Sequence, residues 1–353
     1  MRYNYLMILQ EIEYEGFRNL ADARISFCSG LNIFTGENGA GKTNILESIF
    51  FLAYGTSFRT TEDRNIIKLN HPYVRVEGIS RGYDAVVFYN GEKRFTINGV
   101  KKDKLSEYIG WLPVVVMTLN DIWLIRGAPI KRRNYLDWLL IKLYPDYRDI
   151  LSEYRNILRQ RNRLLQQGER NKTLLRIYNE QFIHWANMIY EKRGQIIPGI
   201  SEKLSLISRE FGIENISFEY QSSCSGLQLT YETLERVEQI EFDKAETVVG
   251  PHRDDFVIKI NGYPARQFCS DGECRLLVLG LRLIEAECIK QKMGESPVFL
   301  IDEAVADLDR LHQKNFFELL KGQIFYATVH NEMDINQYEK KKFVIKRGYL
   351  ASS

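Results

Sequence analysis

The sequence predicts an α/β protein interrupted by a mostly helical insertion, on three observations. Gly36-Glu37-Asn38-Gly39-Ala40-Gly41-Lys42-Thr43 joins an apolar strand pattern, Leu31 to Phe34, to a helical one. Val298-Phe299-Leu300-Ile301 reads as a strand buried on both faces, and it ends in Asp302-Glu303. Between these, from Ile130 to about Glu210, apolar residues recur at helical spacing.

The elements follow in order. Met7 to Tyr14, Ala23 to Phe27 and Gly30 to Phe34 read as strands, and Lys42 to Tyr54 as a helix. Alternating segments cover Val74 to Gly78 and Ala85 to Tyr89, and Phe95 to Gly99 ends in the Asn-Gly pair of a hairpin. In the helical stretch, Tyr154, Ile157, Leu158 and Leu165 share one stripe. Strand patterns return at Ile216 to Tyr220 and at Phe256 to Ile260, the latter before Asn261-Gly262. A long helix from about Glu273 to Lys292, the strand Val298 to Ile301, a helix Leu311 to Leu320 and a strand Ile324 to Val329 complete the chain. The simplest division is an α/β head from residues 1–117 and 247–353, with a helical arm at 118–246.

Composition narrows the class. The chain has 353 residues, 44% hydrophobic and 27% charged, which suits a folded protein with a sizeable core. No apolar run approaches the ~18 residues that span a bilayer. Five cysteines (Cys28, Cys224, Cys269, Cys274 and Cys288) form no CxxC pair, and with no leader pattern they are expected as reduced thiols in the cytoplasm. A net charge of +2 excludes nothing; its distribution matters more.

The glycine-rich turn fits the phosphate-binding loop G-x-x-x-x-G-K-[ST] in its required strand-to-helix context. Its backbone N–H groups and the helix N-terminus would cradle phosphates, Lys42 would reach the β- and γ-phosphates of ATP, and Thr43 would bind Mg²⁺. Asp302 would hold the same metal. Glu303 would orient and deprotonate the attacking water, because phosphoryl transfer needs mainly positioning and charge neutralisation.

Three further pieces point to the heads of ABC and SMC proteins. Ser270-Asp271-Gly272-Glu273 resembles the signature that such heads present to a partner's nucleotide, with Ser270 and Gly272 at an anion-binding helix end. Asp307, in Ala306-Asp307-Leu308-Asp309, stands where their D-loop follows the acidic pair. His330 ends a strand where a switch residue would meet the γ-phosphate. Read singly, Ser270 is a helix cap, Asp307 a turn residue and His330 a surface imidazole. Their order relative to Asp302 favours the first reading for Ser270 and Asp307 and leaves both open for His330.

At this point the chain resembles the RecF family. The landmarks are Gly16-Phe17-Arg18-Asn19, the loop ending Lys42-Thr43-Asn44, Ser57-Phe58-Arg59, Gly127 to Asp137, Arg159-Gln160-Arg161-Asn162 and Gly250 to Phe256. They run in order over nearly the whole chain. The resemblance implies an ABC-type ATPase head, a mixed sheet around the phosphate loop, with an inserted helical arm. It also implies Arg18, Asn19 and Asn44 beside the nucleotide, an ATP-dependent homodimer, weak DNA-stimulated ATPase activity, binding to single-stranded and gapped duplex DNA, and cooperation with RecR and RecO in loading recombinase. Two departures stand out: Glu273 replaces the family's usual Gln, and Thr118-Leu119-Asn120-Asp121 replaces a Ser-Pro-Glu-Asp run.

The arm carries the charge. Between Arg126 and Arg176 there are 13 Lys and Arg against 5 Asp and Glu, so the rest of the chain carries −6. Arg155, Arg159 and Arg163 recur every four residues on one helix face and are candidates for phosphate contact with DNA, while Arg161 lies nearer the apolar stripe. A transporter-type subunit or a nucleotide-gated scaffold without turnover is the alternative. The basic arm disfavours the first, and Glu303 the second.

Overall fold

A computed structural model describes residues 8–168, 172–224, 226–329 and 337–352. In chain order its elements are β1 Leu9–Glu15, β2 Ala23–Ser26, β3 Leu31–Thr35, α1 Lys42–Tyr54, β4 Val74–Ser80, β5 Tyr83–Tyr89, β6 Lys93–Ile97, β7 Val100–Lys102, α2 Leu105–Tyr108 and β8 Val114–Thr118. Then come α3 Trp123–Arg126, α4 Pro129–Leu143, α5 Tyr147–Gln166, α6 Lys172–Glu210, β9 Ile216–Gln221, α7 Tyr231–Lys244, β10 Asp255–Ile260, β11 Tyr263–Pro264, α8 Ala265–Phe268 and α9 Asp271–Met293. The last are β12 Val298–Asp302, α10 Arg310–Leu319, β13 Ile324–Thr328, β14 Lys340–Lys346 and β15 Tyr349–Ser352.

Two compact units result: Met1–Asp121 with Arg282–Ser353, and Ile122–Leu281. The second boundary differs from the sequence-based one, which assigned 247–281 to the head. Pairing explains the difference. β10 is antiparallel to β9 along its whole length, and Arg132 of α4 holds Asp255 of β10 through two bonds of 2.6 and 2.8 Å.

The first unit holds two six-stranded sheets. One has the order β15-β14-β3-β13-β12-β8, parallel except for β15. β3 and β13 are buried at every position and β12 at all but its last, so they read as continuous apolar runs rather than alternating ones. The other sheet, β2-β1-β4-β5-β6-β7, is antiparallel and built from hairpins; Asn98 and Gly99 (φ 51° and 74°) make the turn that the Asn-Gly pair predicts. Helix α1 packs against β12 and β13 of the first sheet and β4 and β5 of the second. That position explains why nearly all its residues are buried and why it shows no polar face.

In the second unit α5 and α6 pack as an antiparallel pair with α4 and α7 beside them. Tyr154, Ile157 and Leu165 are buried as their stripe predicts, and Arg161 is buried with them. Its guanidinium, 1% exposed, meets Glu241 at 2.5 Å, Asn179 at 2.8 Å and Thr247 at 2.7 Å, and lies over the Phe182 ring. Arg193 of α6 similarly joins Asp137 of α4 to Asp254, the residue before β10. A buried pair adds little net energy when complete, yet removal of one partner strands a charge in low dielectric. Glu241→Ala is therefore expected to cost about 3–5 kcal/mol in urea unfolding, whereas replacing Arg161 and Glu241 together with Met and Leu costs much less.

Candidate nucleotide site

Parallel pairing through β13 brings the ends of β3 and β12 to one side of the sheet. After β3 the chain must reverse tightly into α1. Gly36 lies so close to β14 that a Cβ there would stand 2.4 Å from the Ile345 carbonyl oxygen, and Gly41 has φ 117°, which side-chain-bearing residues avoid. The loop is thus held to backbone thickness where phosphates need to approach.

A cavity of about 540 Å³ opens here, within the range of small-molecule sites. Its floor is Lys42, Thr43, Asp302 and Glu303, and its rim includes Asn19, Asn38, Asn44, Arg59 and Asn120. The Lys42 ammonium, 5% exposed, donates to the carbonyls of Gly36 (2.8 Å) and Glu37 (3.2 Å) and lies 3.7 Å from the Glu303 carboxylate. The Thr43 hydroxyl is 2.9 and 3.0 Å from the two Asp302 oxygens. Glu303 follows β12 in a left-handed conformation (φ 54°), its N–H bound to the Ala327 carbonyl at 3.1 Å. Strain of this kind at a non-glycine residue, held by its surroundings, turns the carboxylate back toward Lys42.

The electrostatics suit a cation. Burial raises the Asp302 carboxyl above its ordinary value and Glu303 adds to the effect, while the Thr43 hydroxyl, Arg59 and Lys42 oppose it. Thr43 and Asp302 present hard oxygens to one point, a donor set that fits Mg²⁺ shared with phosphate oxygens and water. Among the described residues no group of three or more His, Cys, Asp or Glu side chains converges as a self-contained metal cage.

The remaining candidates fall at different places. Asn19 accepts from Asn44 (2.6 Å) and donates to the Gly39 carbonyl (3.2 Å), so both residues brace the phosphate loop. Arg18 does not line the cavity. Its guanidinium forks onto the buried Glu47 of α1 at 2.6 and 3.0 Å, and Glu47 also takes Ser57 and, at 3.3 Å, Arg59. Glu47 and Arg59 are absent from the sequence-based candidates; the Ser57-Phe58-Arg59 landmark was their only trace. Ala40 is bonded through its carbonyl to Gly348 of the β14–β15 turn at 2.8 Å. Asp307 is exposed in the turn after β12, and His330 lies outside the described residues.

In the second unit, Ser270 and Glu273 form a reciprocal capping box at the start of α9. The Ser270 N–H and hydroxyl each lie 2.8 Å from the Glu273 carboxylate, and the Glu273 N–H donates back to the Ser270 oxygen at 3.2 Å. Those bonds hold the Glu273 carboxyl below its ordinary value. Arg126 fixes the preceding turn through the carbonyls of Arg266 (3.0 Å) and Cys269 (2.6 Å) and through Asp271 (2.9 Å). Gly272 is exposed within the first turn. Asp121, in the departing loop, accepts from the Thr118 N–H and pairs with Arg282, while Thr118, Leu119 and Asn120 of the same loop line the cavity.

The raised Asp302 carboxyl yields a two-sided expectation. Its ionised form is disfavoured by folding, so Asp302→Asn should raise the melting temperature of the nucleotide-free protein at neutral pH. The same change should remove the extra stabilisation that Mg²⁺ adds to ATP, both read by differential scanning calorimetry.

Residues 8–347 match the family described as the RecF/RecN/SMC N-terminal domain. DNA replication and repair protein RecF of Clostridium kluyveri is 32% identical over 98% of this chain and all of its own length. The same-named protein of Streptococcus pyogenes is 35% identical over 88% of each. The solved structures of the recombination mediator protein RecF-ATPrS and RecF-ATP in the RecFOR pathway superpose with TM-scores of 0.91 and 0.90 at 29% identity, covering 99% and 100% of this chain and 99% of each of theirs. The Smc head domain of Pyrococcus furiosus shares the fold at 18% identity, with a TM-score of 0.55 over 99% of this chain and 96% of its own. By sequence over its whole length and by fold, the chain belongs to the RecF family of DNA replication and repair proteins, with the fold of an ABC-type ATPase head.

Proposed function

We propose that this chain is an ATP-dependent DNA-binding protein of recombinational repair and replication restart that hydrolyses ATP slowly and in response to DNA. The observation that carries the reading is the convergence of Lys42, Thr43, Asp302 and Glu303 in one cavity. The loop amides and Lys42 bind the triphosphate, and exchange of the Gly36 and Glu37 carbonyls for phosphate oxygens satisfies the ammonium. Thr43 and Asp302 would hold Mg²⁺, which when bound neutralises phosphate charge. Glu303, the remaining acid at the γ-phosphate end, orients the attacking water and takes its proton. Ser270, Gly272 and Asp307 complete the site from a second copy, as in other ABC-type heads, so that two chains share two nucleotides; His330 would sense the γ-phosphate.

The DNA surface is the exposed face of α5. Arg159 and Arg163 are exposed there and make no ion pair among the described residues, while Arg155 leans on Asp137 at 3.5 Å. Guanidinium groups at this spacing meet phosphates without reading sequence. The solved relatives act in the RecFOR pathway, which supports a partnership with RecR and RecO at gapped DNA in the cytoplasm, where recombinase is loaded. No helix among the described residues is long and apolar enough to cross a membrane.

Glu303→Gln is expected to bind ATP at wild-type affinity, lose at least about 100-fold in turnover and accumulate as an ATP-bound dimer in sedimentation. Undiminished turnover removes Glu303 from the chemistry. Charge reversal of Arg155, Arg159 and Arg163 to Glu should weaken DNA binding and reduce the slope of log affinity against log salt by as much as about 2.7, at about 0.9 per phosphate contact. An unchanged slope assigns those arginines to solvent.

A further inference from the structure

Two of the segments that relate the chain to its family, Gly127 to Asp137 and Gly250 to Phe256, contribute nothing to the lining of the nucleotide cavity. The fold brings them together in the second unit. Resting on the DNA-binding reading above, we infer that Arg133 of α4 and Arg253 of the turn before β10 form a further site for backbone phosphates of DNA, which extends the α5 face across two more elements.

Arg133 donates through Nη1 to the carbonyl of Asp254, the residue after Arg253, at 2.9 Å. Asp137, one turn further along α4, meets Arg155 of α5 at 3.5 Å, so Arg133 and Arg155 lie toward the same side of α4. The turn itself is closed by the Arg253 N–H on the Gly250 carbonyl at 2.8 Å, and it is seated on α5. The Tyr154 hydroxyl lies 2.6 Å from His252, and the Asn162 side chain accepts from the hydroxyl and N–H of Thr247 at 2.6 and 2.9 Å. Arg155 adjoins Tyr154, and Arg159 stands one turn before Asn162. Arginines of three elements therefore border one surface.

Charge is left over at this surface. Every nearby aspartate is already claimed by another arginine: Asp255 by Arg132 at 2.6 and 2.8 Å, Asp254 by Arg193 at 3.5 Å, and Asp137 by Arg193 at 3.1 Å and Arg155. Arg133 is half-buried, pairs with no carboxylate among the described residues, and spends one of its five N–H donors on a neutral carbonyl. Burial holds its guanidinium below its ordinary value, against the opposing pull of Asp255. Arg253 is exposed and shares its charge with Glu246 at 2.8 Å. His252, between the two, is pushed down to about 4, first by burial and then by the positive field of Arg253, Arg133 and Arg161, with its bond to the Thr247 carbonyl opposing. A half-desolvated cation with unused donors takes an anion, and a phosphate oxygen presents the acceptors that a guanidinium fork matches. Continuity with Arg155 and Arg159 makes that anion the DNA backbone.

The test measures affinity for a gapped duplex over a range of salt for the full chain and for Arg133→Gln, Arg253→Gln and the double variant, with thermal melting of each with and without inorganic phosphate. Each single change should lower the slope of log affinity against log salt by about 0.9, and the double change by about 1.8. ATP affinity should stay at the wild-type value in all of them. Arg133→Gln should melt at or above the wild-type temperature without DNA, because it removes an unpaired, half-buried charge and keeps an amide donor for the Asp254 carbonyl. An arginine that only holds the fold would show the reverse: a lower melting temperature and a wild-type slope, which overturns the inference. A wild-type slope in the double variant overturns it too, and leaves the α5 face standing. Stabilisation of the wild type by inorganic phosphate, lost in Arg133→Gln while the DNA slope is unchanged, makes this a free-anion site and overturns the assignment to DNA. Absence of DNA binding in the wild type overturns the DNA-binding reading itself, and this inference with it.

Discussion

The phosphate site depends on one buried carboxylate. Glu47 lies in the middle of α1, fully buried, between two sheets where no water can solvate it. It is tolerated because Arg18, Arg59 and Ser57 all donate to it. Those partners come from the segment after β1 and from the loop after α1. The same bonds that neutralise Glu47 therefore fix Asn19 beside the phosphate loop and Arg59 on the cavity rim. This accounts physically for two of the landmarks that relate the chain to its family, Gly16-Phe17-Arg18-Asn19 and Ser57-Phe58-Arg59.

The second unit handles charge by the same logic, to a different end. Arg161 and Arg193 are buried and bound to carboxylates, so Arg161 ties α5 to α7 and Arg193 ties α6 to α4 and to Asp254 just before β10. Arg155, Arg159 and Arg163 lie on the same stretch of sequence but face water. Within nine residues of α5, one arginine builds the core and three remain to meet phosphate, and the helical period separates them.

Glu273 illustrates how one residue can serve local structure and leave its mark on the site. As the fourth residue of a Ser-x-x-Glu capping box it satisfies the orphan N–H of Ser270 and anchors the start of α9. Glutamine, usual in the family, also caps but brings no charge. The carboxylate here is held by the Ser270 N–H and hydroxyl, while the neighbouring Asp271 pairs with Arg126.

Much of this was legible in residue order. The phosphate loop between β3 and α1, the acidic end of β12, both Asn-Gly hairpins and the α5 stripe follow from local rules, since glycine conformations, buried runs and helical periods are properties of neighbouring residues. What sequence could not supply is what distant segments do to one another. The partition of 247–281 rests on β9–β10 pairing and the Arg132–Asp255 bond. Arg18 is legible as a residue near the phosphate loop, but that its guanidinium meets Glu47, 29 positions away, is decided by the fold. Asp121 is drawn off by Arg282, 161 positions away, and Thr118, Leu119 and Asn120 line the cavity. In each case the side chain's chemistry was evident from the sequence, but its partner was chosen by burial, because a charge withdrawn from water binds whichever opposite charge the tertiary fold brings within reach.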